Sequence, residues 1–139
     1  MDLQLELVVV PVSDVDKAKA FYEEVGFNVD VDHSAGDSFR VVQLTPPGSK
    51  CSISIGKGIS PAEPGSYQGL HLVVSDIEAA RKELVDRGVD VSEPFHFGAA
   101  GQVTGLDPER RSYGTFASFS DPDGNGWLLQ EVTDRPPGR

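Results

Sequence analysis

The spacing of apolar residues along this chain changes repeatedly, and each change marks an element. An apolar run from Leu7 to Val12 belongs to a first strand, predicted at about residues 3–12. Val15, Ala18, Phe21, Tyr22 and Val25 then recur at three- and four-residue steps, which places them on one face of an amphipathic helix. Gly26 follows, where a left-handed residue closes the helix at least cost. Strands are predicted at about 27–33 and 39–44, then a Pro/Gly turn and a last strand running through Ser52 to Ile55. The order then begins again. A strand at 69–74 leads into a helix with Ile77, Ala80, Leu84 and Val85 on its apolar face, and Gly88 ends it. Strands at 89–95 and 113–120, the turn Asp121-Pro-Asp-Gly-Asn125 and a final strand complete the second round.

The recurrence extends to residue identities. Val12-Ser13-Asp14 and Val74-Ser75-Asp76 stand 62 residues apart, and Ala18, Gly26 and Val29 meet Ala80, Gly88 and Val91 at that same offset. Ser75 and Glu78 have the spacing of a capping box, with Ser13 and Asp16 as a weaker counterpart; either Ser or Asp can cap each helix. Farther on, Thr45–Ile55 aligns with Asp121–Glu131 at an offset of 76, so the second copy carries about 14 more residues. These are expected between 94 and 112 as a long Gly-rich, charged loop, of a kind often used as a lid. The predicted fold class is α+β, with two tandem βαβββ modules. Module one covers about 3–56, module two about 69–132, with a linker at 57–68 and a frayed tail at 133–139. Each module is expected to form a four-stranded sheet with its helix on one face. The open faces would then enclose a cleft in a curved mixed sheet, within one chain or by exchange between two.

Composition narrows the setting. A chain of 139 residues suits a single domain, and its 38% hydrophobic and 24% charged content is ordinary for a globular protein. Cys51 is the one cysteine, so no intrachain disulfide can form and a reducing compartment is expected. The first twelve residues lack a basic flank, and their apolar run is too short for a secretory core or a membrane span. A cytoplasmic protein with no membrane contact follows as the expectation. A net charge of −10 argues against a nucleic-acid partner. It serves solubility, or else favours neutral and cationic ligands.

The strand, Val12-Ser13-Asp14, a helix carrying Phe21-Tyr22, and Gly26 together resemble the first module of the vicinal oxygen chelate superfamily of glyoxalases, bleomycin resistance proteins and extradiol dioxygenases. The Asp121–Asn125 turn is similar to that family's closing motif, so the resemblance covers about residues 3–132. It implies a divalent metal held by His, Glu or Gln from the first and last strands of each module. The matching positions here are Leu7, Ser52, Gly69 and Leu128, none of them a strong ligand. No metal and no other cofactor is therefore expected. An unconventional divalent site from His71, Gln130 and His96 is the alternative; otherwise His33 and His96 read as surface or half-buried histidines.

Strand alternation places Leu7, Val9, Ser52, Ser54, His71, Leu128 and Gln130 on the cleft, a mainly apolar lining suited to a small organic ligand. Tyr113 joins them as a ligand-binding candidate from a cluster with Phe116, Phe119 and Trp127, which reads as core, interface or a stacking surface. His71 is the titratable group of that lining, a candidate catalytic base, a hydrogen-bond donor, or a cavity residue with its needs met. Arg110 and Arg111, beside Asp107 and Glu109, form either a solvated charge cluster or lid contacts to an anionic ligand. Cys51 has the wrong parity for the cleft. A homodimeric binding protein that sequesters a drug or metabolite, as in antibiotic resistance of the bleomycin-resistance type, accounts for the missing metal ligands. A glyoxalase-like lyase, isomerase or dioxygenase acting through His71 or an unconventional metal is the alternative. A third is a regulatory or structural module whose cleft is filled by its own side chains.

Overall fold

Nine strands and two helices realise these periodicities in the computed structural model, which describes residues 1–139. In chain order they are β1 (Leu7–Val9), α1 (Val15–Val25), β2 (Asn28–Ala35), β3 (Phe39–Thr45), β4 (Ser52–Lys57), β5 (Leu70–Val74), α2 (Ile77–Asp86), β6 (Phe95–Gly98), β7 (Gly101–Thr104), β8 (Phe116–Ser120) and β9 (Gly126–Glu131). The fold is α+β, with two separate sheets of mixed strands. Two compact units divide the chain: Met1–Tyr67 with Asp121–Asn125, and Gln68–Ser120 with Gly126–Arg139. No helix is long and apolar enough to cross a membrane.

The first unit holds the sheet β1-β4-β3-β2, in which β1 runs parallel to β4 and the other neighbours are antiparallel. Register sets Leu44 opposite Ile53 and Val42 opposite Ile55. These four side chains are buried with Ala18, Tyr22 and Val25 of α1, which packs on β3 and β4. Each such side chain contributes about 1.5–3 kcal/mol on leaving water. Asp14 caps α1 by accepting from the Lys17 N–H, and Gly26 closes it at φ +119°. The Asp121–Asn125 turn belongs to this unit. The buried Tyr22 hydroxyl donates to Asp121 Oδ2 (2.8 Å), and fully buried Asn125 donates from Nδ2 to Asp121 Oδ2 (2.8 Å) and to the Pro11 carbonyl (2.7 Å).

The second unit holds the sheet β5-β9-β8-β6-β7, with β5 parallel to β9. Ala117, Phe119, Trp127 and Leu129 are buried with Ile77 and Leu84 of α2, which packs on β8 and β9. Phe119 and Trp127, opposite each other in register, stack with centroids 6.2 Å apart.

Several sequence expectations are corrected. The first strand is confined to Leu7–Val9, since Leu3 and Leu5 lie exposed. Residues 89–94 form no strand, although Val89 and Val91 are buried; β6 begins at Phe95. The extra length of module two is partly a hairpin, β6–β7, so its sheet has five strands where four were expected. Asp76 caps α2 by accepting from the Glu78 and Ala79 N–H groups, in place of a Ser75–Glu78 box. Val85, one step past buried Leu84, is turned outward and exposed. β8 starts at Phe116, which leaves Tyr113 on a loop. Of the tail expected to fray, residues 133 and 134 are tied down: Ser112 Oγ donates to the Asp134 carbonyl (2.7 Å) and accepts from the Thr133 and Asp134 N–H groups (3.0 Å each).

Candidate functional site

Alternation gives each sheet a second face, the one turned away from its helix. In the first unit this face brings together Leu7, Val9, Ser52 and Ser54, because the parallel register sets Leu7 beside Ser52 and Val9 beside Ser54. Gln43 stands opposite Ser54. A hydrogen-bond chain crosses the face: Gln43 Nε2 donates to Ser52 Oγ (3.3 Å), Ser52 and Thr45 hydroxyls meet at 2.7 Å, and Thr45 donates to the Asp30 carboxylate. The carboxylate only accepts, so Thr45 gives it its proton and Ser52 must donate to Thr45. Both hydroxyls have thereby committed their single protons, and toward a ligand they act as acceptors.

In the second unit the corresponding face brings His71, Leu128 and Gln130 together. His71 pairs with Leu128, Val73 with Gln130, and Gln130 in turn with Phe116. The 62-residue repeat would set Gly69 opposite Leu128, as Leu7 is opposite Ser52. His71 takes that place instead, a two-residue slip that keeps every side chain on its face. An aromatic cluster surrounds this group. Phe116 stacks on Phe95 (5.8 Å, 21°) and meets Phe97 (5.5 Å, 70°) and His71 (6.3 Å, 84°) edge-on. Phe97 is 57% exposed. Phe95 closes the strand predicted at 89–95 and Phe97 falls in the expected loop, so neither is named for the site; their two-residue spacing is the signal that identifies the strand. Phe119 and Trp127, grouped with Phe116 by sequence, are buried with α2 instead.

His71 Nδ1 lies 2.5 Å from the Gly69 carbonyl. The carbonyl only accepts, so Nδ1 carries the proton and Nε2 is the acceptor nitrogen. His96 alternates to the opposite sheet face from Phe95 and Phe97, and its Nδ1 donates to the Gly105 carbonyl (2.8 Å). No group of three or more His, Cys, Asp or Glu side chains is placed to hold a metal ion. His71 is the one strong donor near the positions where the superfamily's ligands would fall, and a lone imidazole does not fit a divalent cation.

The loop between β7 and β8 completes the wall. Arg110 and Arg111, read as a solvated cluster or as lid groups, are tied to carboxylates whose side chains are only 1% exposed. Arg110 grips Glu131 through Nε (3.1 Å) and Nη2 (2.7 Å), and the Ile77 N–H joins it (2.9 Å). Arg110's hydrogen bonds hold the Glu131 carboxyl below the usual glutamate range against its burial, with help from the Ile77 N–H. Arg111 grips Asp107 through Nε (3.0 Å), Nη2 (2.7 Å) and its own N–H (2.7 Å), which pulls that carboxyl down to about 2. Between these clamps sits Tyr113, at φ +71°, with its N–H on the Glu131 carbonyl (2.8 Å) and its carbonyl accepting from Gln130 Nε2 (3.0 Å). Tyr113, Phe97, Phe116, Asp107 and Arg111 line a cavity of about 340 Å³. A larger cavity of about 500 Å³ in the first unit, beside the start of α1, is lined by none of the ligand-binding or catalytic candidates named from sequence. Its only charged side chains are Asp14, already capping the helix, and Lys57. The smaller cavity, which shares Phe97 and Phe116 with the aromatic cluster, is the better candidate.

Comparison with known proteins follows the same lines. The family model described as Glyoxalase/Bleomycin resistance protein/Dioxygenase superfamily matches residues 4–129. TnmS3, an antibiotic binding protein from Streptomyces sp. CB03234, is 35% identical with a TM-score of 0.72, covering 94% of this chain and 97% of its own. A glyoxalase/bleomycin resistance protein from the same Streptomyces is 36% identical with a TM-score of 0.68, covering 92% and 100%. YetH of Bacillus subtilis (strain 168) is 28% identical over 130 residues, covering 92% of this chain and 98% of YetH.

Proposed function

Given that the chain belongs to the Glyoxalase/Bleomycin resistance protein/Dioxygenase superfamily, we propose that it is a small-molecule-binding member that sequesters a drug or metabolite without chemistry. The observation that carries this is the aromatic cluster of His71, Phe95, Phe97 and Phe116, partly exposed beside a cavity of about 340 Å³. An apolar wall with a few fixed polar groups is the usual form of such a site. Buried stacking surface contributes about 0.5–1.5 kcal/mol per aromatic pair beyond its area. The similarity to an antibiotic-binding protein supports a drug as the ligand. A homodimer is part of this proposal, supported by β2, an edge strand exposed along its whole length.

Thermal shift with bleomycin and a panel of polycyclic aromatic antibiotics tests it. At least one compound should raise the melting temperature saturably, and Phe97→Ala with Phe116→Ala should abolish the rise. No shift for any compound, together with no saturation-transfer signal by NMR, would refute it. A second reading, a metal-independent enzyme, rests on His71, whose Nδ1–H on Gly69 leaves Nε2 set up as a proton acceptor. It requires turnover of an aldehyde or keto substrate that disappears in His71→Ala.

A further inference from the structure

Tyr113 is a poor choice for its place on structural grounds alone. Its φ of +71° lies in a region that residues other than glycine avoid, so its backbone is strained. Its hydroxyl oxygen is buried and has no hydrogen-bond partner. An unpaired buried hydroxyl carries a desolvation penalty that phenylalanine would avoid. Yet the loop around it is held firmly. Arg110 on Glu131 and Arg111 on Asp107 fix the chain just before it, and Gln130 and Glu131 hold its carbonyl and N–H. Strain maintained by so many contacts, next to an unused donor, is characteristic of a residue kept for binding.

We propose that the Tyr113 hydroxyl is the polar anchor of the ligand site, donating to a carbonyl-type acceptor on a flat aromatic ligand that packs against Phe97 and Phe116. This rests on the binding function proposed above and names its ligand class. Tyr113, Phe97 and Phe116 line the same cavity. Asp107, Arg111 and Ser112 also line the cavity but bond within the fold, so an analogue without the acceptor leaves the Tyr113 donor unpaired and is discriminated by chemistry. The hydroxyl is closed off from water, so a ligand reaches it only as neighbouring chain moves. The tail packs beside this residue: Arg139 lies over the Tyr113 ring at 4.9 Å, and Ser112 holds residues 133 and 134. These contacts are exposed and few, which makes the opening inexpensive.

Titration of 9-fluorenone against fluorene, which differ by one carbonyl, tests the proposal by isothermal titration or saturation-transfer NMR. The wild-type chain should bind fluorenone about tenfold tighter. Tyr113→Phe should bind the two equally, with the affinity for fluorene unchanged. Equal binding by the wild type, or a preference that survives in Tyr113→Phe, would overturn the anchor while leaving the binding function intact. Binding of neither compound to either protein would overturn the ligand class named here, while the binding function stands or falls on the drug panel. The free variant supplies a separate check. Tyr113→Phe should melt at or above the wild-type temperature, and a fall of several degrees would show that the hydroxyl is paired within the fold and overturn the proposal.

Discussion

Asn125 offers the sharpest test of how the first unit is held together. Its side chain is fully buried and makes three hydrogen bonds: Nδ2 to the Pro11 carbonyl, Nδ2 to Asp121 Oδ2, and Oδ1 from the Tyr67 N–H at 3.1 Å. Asn125→Ala removes all three and keeps the backbone bond from Asn125 N to Asp121 Oδ1. The two bonds to neutral partners contribute about 1 kcal/mol each and the bond to the carboxylate about 2 kcal/mol. The expected loss is about 4 kcal/mol, a large share of a total stability of about 5–15 kcal/mol. For a chain of this size that lowers the melting temperature by about 12 °C. Urea denaturation followed by far-ultraviolet circular dichroism reads it as a fall in midpoint at unchanged slope. Asn125→Asp keeps the volume but replaces both donations with a second carboxylate facing Asp121. It should be at least as unstable at pH 7, and should recover toward pH 4–5 as the pair takes up a shared proton. A loss below about 1 kcal/mol in Asn125→Ala would refute this account of the turn.

Three further outcomes are expected. Asp107, held down to about 2 by Arg111 against an ordinary value of 3.8, contributes stability that is complete above about pH 4 and is lost as pH falls toward 2; in Asp107→Asn the urea midpoint should vary less across that window, and an unchanged profile would contradict the pairing. Arg110→Ala leaves the buried Glu131 without its main partner, so amide exchange at Tyr113 and Gly114 should quicken at least tenfold while β3 and β4 stay protected; an unchanged rate at Tyr113 would mean that the clamp does not order the loop. Gly56→Ala drives a Cβ into the Arg40 carbonyl oxygen, across the β3–β4 pairing, and should cost about 3 kcal/mol in urea denaturation; a cost near zero would show that the strands can part at that point.

The repeat, both helices and most strand positions are local properties, carried by side chains within a few residues of one another. The 3.6-residue pattern of Val15, Ala18, Tyr22 and Val25, with Gly26 after it, specifies α1 wherever the chain folds. The absence of metal-ligand side chains at Leu7, Ser52 and Leu128 is likewise visible in the sequence, and alternation correctly groups Ser52 with Ser54 and His71 with Leu128. Pairing across the chain lies outside local patterns. Nothing near Phe95 shows that it will pair with Phe116, 21 residues on, nor which partners Phe116 and Phe119 will meet on the two faces of β8. Glu131 reads as an ordinary surface acid until Arg110, distant in sequence, folds onto it, and only the fold shows that Asp107 beside Arg111 is buried; a buried charge is tolerated only when a partner supplies the hydrogen bonds that water would have made. Tyr113 follows the same logic in reverse: only the folded chain, with every nearby donor and acceptor in place, shows that its hydroxyl is the one left unpaired.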